Sequence, residues 1–139
     1  MAESGLTDLE LTGLTEEWGL YHDLPKCLVK GDPLVEYGVV EHRYLLLNPT
    51  RYRFLLDRYG HTAIAPANYT TSSFIAAALG RLGKHGDLVD SWGDATGRWA
   101  YNGTVSYWGL PGVDKAAPKR SWTEYAQEHD LDPEGWPLP

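Results

Sequence analysis

The most regular hydrophobic pattern in the chain lies just past its middle. Thr70, Thr71 and Ser72 offer an amino-terminal cap, and Phe74, Ile75, Ala78, Leu79 and Leu82 then fall on one face at i, i+1, i+4, i+5, i+8 spacing. The opposite face reads Ser73, Ala76, Ala77, Gly80, Arg81 and Lys84, and Gly83 or Gly86 ends the run. This predicts an amphipathic helix. A second helix is predicted over 50–59, where Tyr52, Leu55, Leu56 and Tyr59 share a face, Asn48-Pro49 precedes and Gly60 is placed as a carboxy-terminal cap. Between 34 and 47 the text is rich in β-branched and aromatic residues. It reads either as one strand bent at Gly38 or as a strand that runs into a helix near Glu41. Residues 61–68, interrupted by Pro66, form one helical turn or a simple connection.

Downstream the period changes from helical to alternating. Residues 88–92, 98–101 and 104–108 are β-prone, and Asn102-Gly103 between the last two is a strong short hairpin signal, since both residues tolerate the positive φ of a type I′ turn. A two-residue turn pairs Tyr101 with Thr104 and Trp99 with Ser106. One face then holds Trp99, Tyr101, Thr104, Ser106 and Trp108, and the other holds Arg98, Ala100, Val105 and Tyr107. Two capping boxes, Thr7-Asp8-Leu9-Glu10 and Ser121-Trp122-Thr123-Glu124, predict short helices near either end. The expected organisation is a single α+β domain over 1–110, followed by a polar linker, a short helix and a Pro-rich tail over 111–139.

Composition narrows the class. Apolar residues at 42% and charged residues at 22% of 139 are globular values, while 15 Gly and 9 Pro predict short elements and many turns. One cysteine, Cys27, makes no intrachain disulfide. The first residues lack a basic start and an apolar stretch, and no apolar run approaches the roughly 20 residues of a membrane span. The expectation is a soluble, cytoplasmic protein without a membrane partner. Asn68 and Asn102, each in an Asn-x-Thr sequon, then read as turn residues.

The formal charge of −7 argues against a wholly basic, nucleic-acid-coating surface, but its distribution is uneven. Residues 1–41 carry nine acids and two bases, residues 42–86 one acid and six bases, and residues 87–139 nine acids and four bases. The basic block is Arg43, Arg51, Arg53, Arg58, Arg81 and Lys84. Either it meets phosphates or the acidic flanks fold back onto it.

Signatures of catalysis are missing. His22, His42, His61, His85 and His129 show no metal-ligand spacing, and no phosphate loop is present. Ser72, His61 and Asp57 lack a nucleophile elbow, and Gly80, Gly83 and Gly86 lack the preceding strand of a dinucleotide site. No enzyme, metal or cofactor is expected. Trp92, Trp99, Tyr101, Tyr107 and Trp108 crowd one small sheet, where they serve as core or as a stacking platform.

The order of helix, short segment, capped amphipathic helix, glycine, strand, turn and strand resembles the winged helix-turn-helix family. Residues 71–89 carry the resemblance, looking like a recognition helix with a Leu79-x-x-Leu82-x-x-x-Gly86 exit toward the wing. The resemblance implies a winged-helix-like centre over about 50–108 and a transcription-associated role on duplex DNA. Thr71, Ser72, Ser73, Ala77, Arg81 and Lys84 would then face the major groove, and Arg98 would be the wing contact. The departures are Pro66, where the family has a full second helix, and a helix face of small residues. The alternative is a protein-interaction module, binding a partner or a second copy through Trp92, Trp99, Tyr101 and Trp108.

Overall fold

A computed structural model of the chain describes residues 19–60 and 70–135. It is an α+β fold. A single helical turn, α1 (Leu20–Asp23), runs into a 3-10 turn at Leu24–Cys27 that starts on Pro25. The chain then forms a two-residue strand, β1 (Val35–Glu36), and passes directly into α2 (Tyr37–Leu47). Of the two readings of this stretch, the strand that becomes a helix is the one observed. The change comes at Tyr37, ahead of the expected Glu41.

α2 is the centre of the fold, buried on nearly every side from Tyr37 to His42 and again at Tyr44. Asn48 ends it and starts the next helix, its Oδ1 accepting from the Arg51 N–H at 3.1 Å while Pro49 supplies the first helical position. That helix, α3 (Pro49–Tyr59), stops at Gly60, whose φ of 75° is open to glycine. α4 (Thr71–Lys84) begins at Thr70, whose hydroxyl accepts from the Ser73 N–H at 3.3 Å. Phe74, Ile75, Ala78, Leu79 and Leu82 are all buried, as their spacing predicts.

The sheet is antiparallel with order β1-β3-β2, formed by β2 (Val89–Asp94) and β3 (Thr104–Gly109) beside β1. Its register corrects the expected hairpin. Asp94 pairs with Thr104 and Trp92 with Ser106, and residues 98–101 belong to a 3-10 helix, Gly97–Asn102. Trp99 is 2% exposed because that turn drives its indole inward. Asn102 closes the turn by donating its side-chain N–H to the Trp99 carbonyl at 3.0 Å, and Gly103 follows at φ 75°. The Asn-Gly pair therefore ends a turn, but one belonging to a longer connection.

The two sheet faces meet different helices. Trp108 packs over Gly83 of α4, while Glu36, paired with Tyr107 on the other face, meets the start of α5 (Trp122–Glu128). α5 opens with the expected capping box of Ser121 and Glu124. Trp122, Tyr125 and Ala126 join the main core, so α5 packs into the fold. The capping box at Thr7 and residues 61–68 lie outside the described residues. No described helix is long and apolar enough to cross a membrane.

Two glycines give opposite expectations. A Cβ on Gly38 would run into the Trp99 indole, whereas one on Gly80, in the exposed middle of α4, would meet nothing within 4 Å. Urea unfolding should show Gly38→Ala losing about 1–3 kcal/mol by overpacking. Gly80→Ala should gain about 0.5–1 kcal/mol of helix propensity.

Candidate functional site

Two acids stand inside the apolar run that forms β1 and α2, and both are 0% exposed. A carboxylate removed from water needs hydrogen-bond donors in its place. Glu41 has them from three helices: its Oε1 accepts from the Tyr37 hydroxyl at 2.7 Å and the Ser72 hydroxyl at 2.7 Å, and its Oε2 from the Tyr52 hydroxyl at 2.8 Å. Burial first, and then the charge of Glu41, push both tyrosine hydroxyls well above their ordinary range, which keeps them protonated donors. Glu36 does the same work at the sheet. Its Oε1 accepts from the Thr96 hydroxyl at 2.7 Å and the Trp122 N–H at 2.8 Å, and its Oε2 from the Thr96 N–H at 2.9 Å.

Arg98 is 8% exposed and lies beside this system. Its guanidinium carbon sits 4.9 Å from the Trp99 ring centre and 4.5 Å from that of Trp122, and it donates to the Gly135 carbonyl. Burial pushes the guanidinium below its ordinary value, and the attraction of Glu41 opposes that fall. His42 is packed near Trp122, with Nδ1 2.8 Å from the Tyr125 hydroxyl.

In front of Tyr37 and Ser72 opens a cleft of about 350 Å³. Its walls are Trp92, Trp99, Tyr101 and Trp108, and Ser73, Asn102, Thr104 and Ser106 supply polar groups at its side. No lining side chain is charged. Trp92 at 68% and Tyr101 at 57% exposure stand at its mouth, while Trp99 and Trp108 are almost wholly covered. A larger cavity of about 620 Å³ lies between the 29–33 and 110–118 loops. Its lining is mostly small, aliphatic and proline residues without an aromatic ring; Lys30, Asp32 and Asp114 are its charged members, and Asp32 is already paired with Arg43 at 3.1 Å. We therefore take the aromatic cleft as the candidate site.

The four aromatic residues singled out in the sequence thus converge, with one correction: Trp99 and Trp108 are core residues that form the cleft's inner wall, and of the four only Trp92 and Tyr101 are exposed. The residues expected to face DNA separate. Ser73 is half-buried and lines the cleft, Ala77 is half-buried, Arg81 is partly exposed and Lys84 is exposed. Thr71, Ser72 and Arg98 are buried and do not face outward. Thr71 and Ser72 lie one turn ahead of Phe74 and Ile75 and so share their inward face, and Arg98 is held between two indoles.

The basic block is dispersed. Arg43 pairs with Asp32 from the acidic first third, Arg51 lies over Phe54 and Arg58 over Tyr59, while the strand next to α4 exposes Asp90 and Asp94.

Ser72 meets a glutamate and no histidine, Asp57 is exposed on α3, and His61 is outside the described residues. Among the described residues no group of three or more His, Cys, Asp or Glu is placed to hold a metal ion. Sequence reasoning missed Tyr37, Glu36, Glu41, Tyr52 and Thr96. The available signal was the pair of acids within an otherwise apolar run. Family models, curated proteins and solved structures yield no match to this chain.

Burial, followed by the positive charges of His129, Arg98 and Arg43, lowers His42 from 6.5 to about 4. The unfolded chain then binds more protons than the folded one between these values, so this stability is complete above pH 6.5 and is lost as the pH falls toward 4. Unfolding midpoints of wild type should drop more steeply from pH 7 to 4.5 than those of His42→Gln. Parallel curves would remove His42 from the account.

Proposed function

We propose that this protein is a non-catalytic interaction module that holds a segment of a partner protein in the aromatic cleft. One observation carries the reading: a tryptophan and a tyrosine stand largely exposed at the mouth of a cavity whose inner wall is core. Trp92 is fixed on a paired strand and Tyr101 on a turn pinned at Thr96, so both present large area with few rotamers left to order on binding. Aromatic residues in such settings dominate interface energetics. Uncharged hydroxyl and amide groups beside the rings suit a main chain that needs hydrogen-bond partners.

A second reading, duplex DNA binding through α4, draws support from the exposure of Lys84, the partial exposure of Arg81 and the arginines of α3. The exposed Asp90 and Asp94 oppose a phosphate backbone and favour the first reading.

Peptides selected for binding from a random library separate the two. Trp92→Ala with Tyr101→Ala should keep the wild-type circular dichroism and unfolding midpoint while weakening the selected peptides roughly 30-fold, the loss of about 2 kcal/mol expected at a hot spot. Peptides indifferent to the double change would contradict the module. Salt-dependent binding of duplex DNA lost on Arg81→Glu with Lys84→Glu would replace it with the second reading.

A further inference from the structure

Resting on the reading of the cleft as a protein-binding site, we infer that its occupant is anchored by a cationic side chain, a lysine or arginine, laid over Trp92 between Asp90 and Asp94. The alternation of β2 supplies the geometry. Positions 90, 92 and 94 are the exposed ones, so two carboxylates flank the indole on one face. Their spacing is set by the strand rise, about 7 Å from each acid to the tryptophan. The paired residues across the sheet are Trp108, Ser106 and Thr104, all of which line the cleft. The acids therefore belong to the cleft's own face.

No ion pair joins Asp90 or Asp94 to a described residue, and the lining holds no lysine or arginine. Among the described residues these carboxylates are thus unpaired beside an exposed indole face. An indole face attracts a cation, most strongly once it is partly desolvated, and a neighbouring carboxylate adds to that attraction. The same fold already places a guanidinium over tryptophan faces, where Arg98 lies between Trp99 and Trp122. Net charge agrees with the assignment, since residues 87–139 carry nine acids and four bases, and a basic partner is steered toward them.

The test titrates the full chain with a matched series of short peptides that differ only at one central residue: lysine, arginine, norleucine or glutamate. Fluorescence anisotropy of the labelled peptides reads binding at low and high salt in every variant, and the NMR signal of the Trp92 indole N–H places it at the cleft in the wild type. Lysine and arginine peptides should bind about tenfold more tightly than norleucine, and glutamate should not bind. Asp90→Asn with Asp94→Asn, both at exposed positions, should remove most of that preference and its salt dependence. Norleucine binding as tightly as lysine, with both lost in Trp92→Ala, would overturn the cationic anchor and leave the cleft reading standing. No peptide binding at all, or binding unaffected by Trp92→Ala, would overturn both.

Discussion

The carboxylate of Glu41 has no access to water, and the arrangement of the helices follows from how that charge is met. Its three hydroxyl donors come from α2 itself, from α3 and from α4, so the acid fixes where the two later helices lie against the central one. A buried charge stripped of one partner is strongly destabilising, which makes the node a constraint on geometry as much as a source of stability. Glu36, five residues earlier, extends the same logic to the other half of the molecule. It gathers Thr96 from the long hairpin connection and Trp122 from the start of α5 around one edge of the sheet.

The cleft is a by-product of these two anchors. α4 is held to α2 at Ser72 and touches the sheet at Gly83, which Trp108 covers. Between those contacts its first turns face Trp92, Thr104 and Ser106 across open space. The far wall is the 3-10 turn that Glu36 pins through Thr96, with Trp99 turned inward against Gly38 and Tyr101 left outside. Buried acids therefore shape a cavity whose own lining is uncharged. Exposed acids on β2 give it its electrostatic character.

Much of this was legible in the sequence where local physics decides. The amphipathic face of α4, the Gly60 stop and the Ser121 capping box all follow from spacing and cap chemistry, and each stands where expected. Long-range interactions decided the rest. Asn102-Gly103 satisfies the local rule for a tight hairpin, yet burial of Trp99 and the Glu36–Thr96 bonds favour a 3-10 turn and shift the register. Thr71 and Ser72 read as cap residues facing outward because nothing nearby in sequence reveals a carboxylate 31 residues upstream that takes the Ser72 hydroxyl. The convergence of four aromatics was readable; which two of them stay exposed was not, since that depends on where α4 and Gly38 lie.

Glu41 couples α2, α3 and α4 through three hydroxyl donors. A double-mutant cycle between Tyr52→Phe on α3 and Ser72→Ala on α4, read by urea unfolding at pH 7, tests it most directly. These side chains donate to opposite oxygens of Glu41, so a coupling energy of about 0.5–3 kcal/mol is expected. Losses that add to within about 0.3 kcal/mol would mean that the two hydroxyls act independently and that Glu41 does not organise the fold.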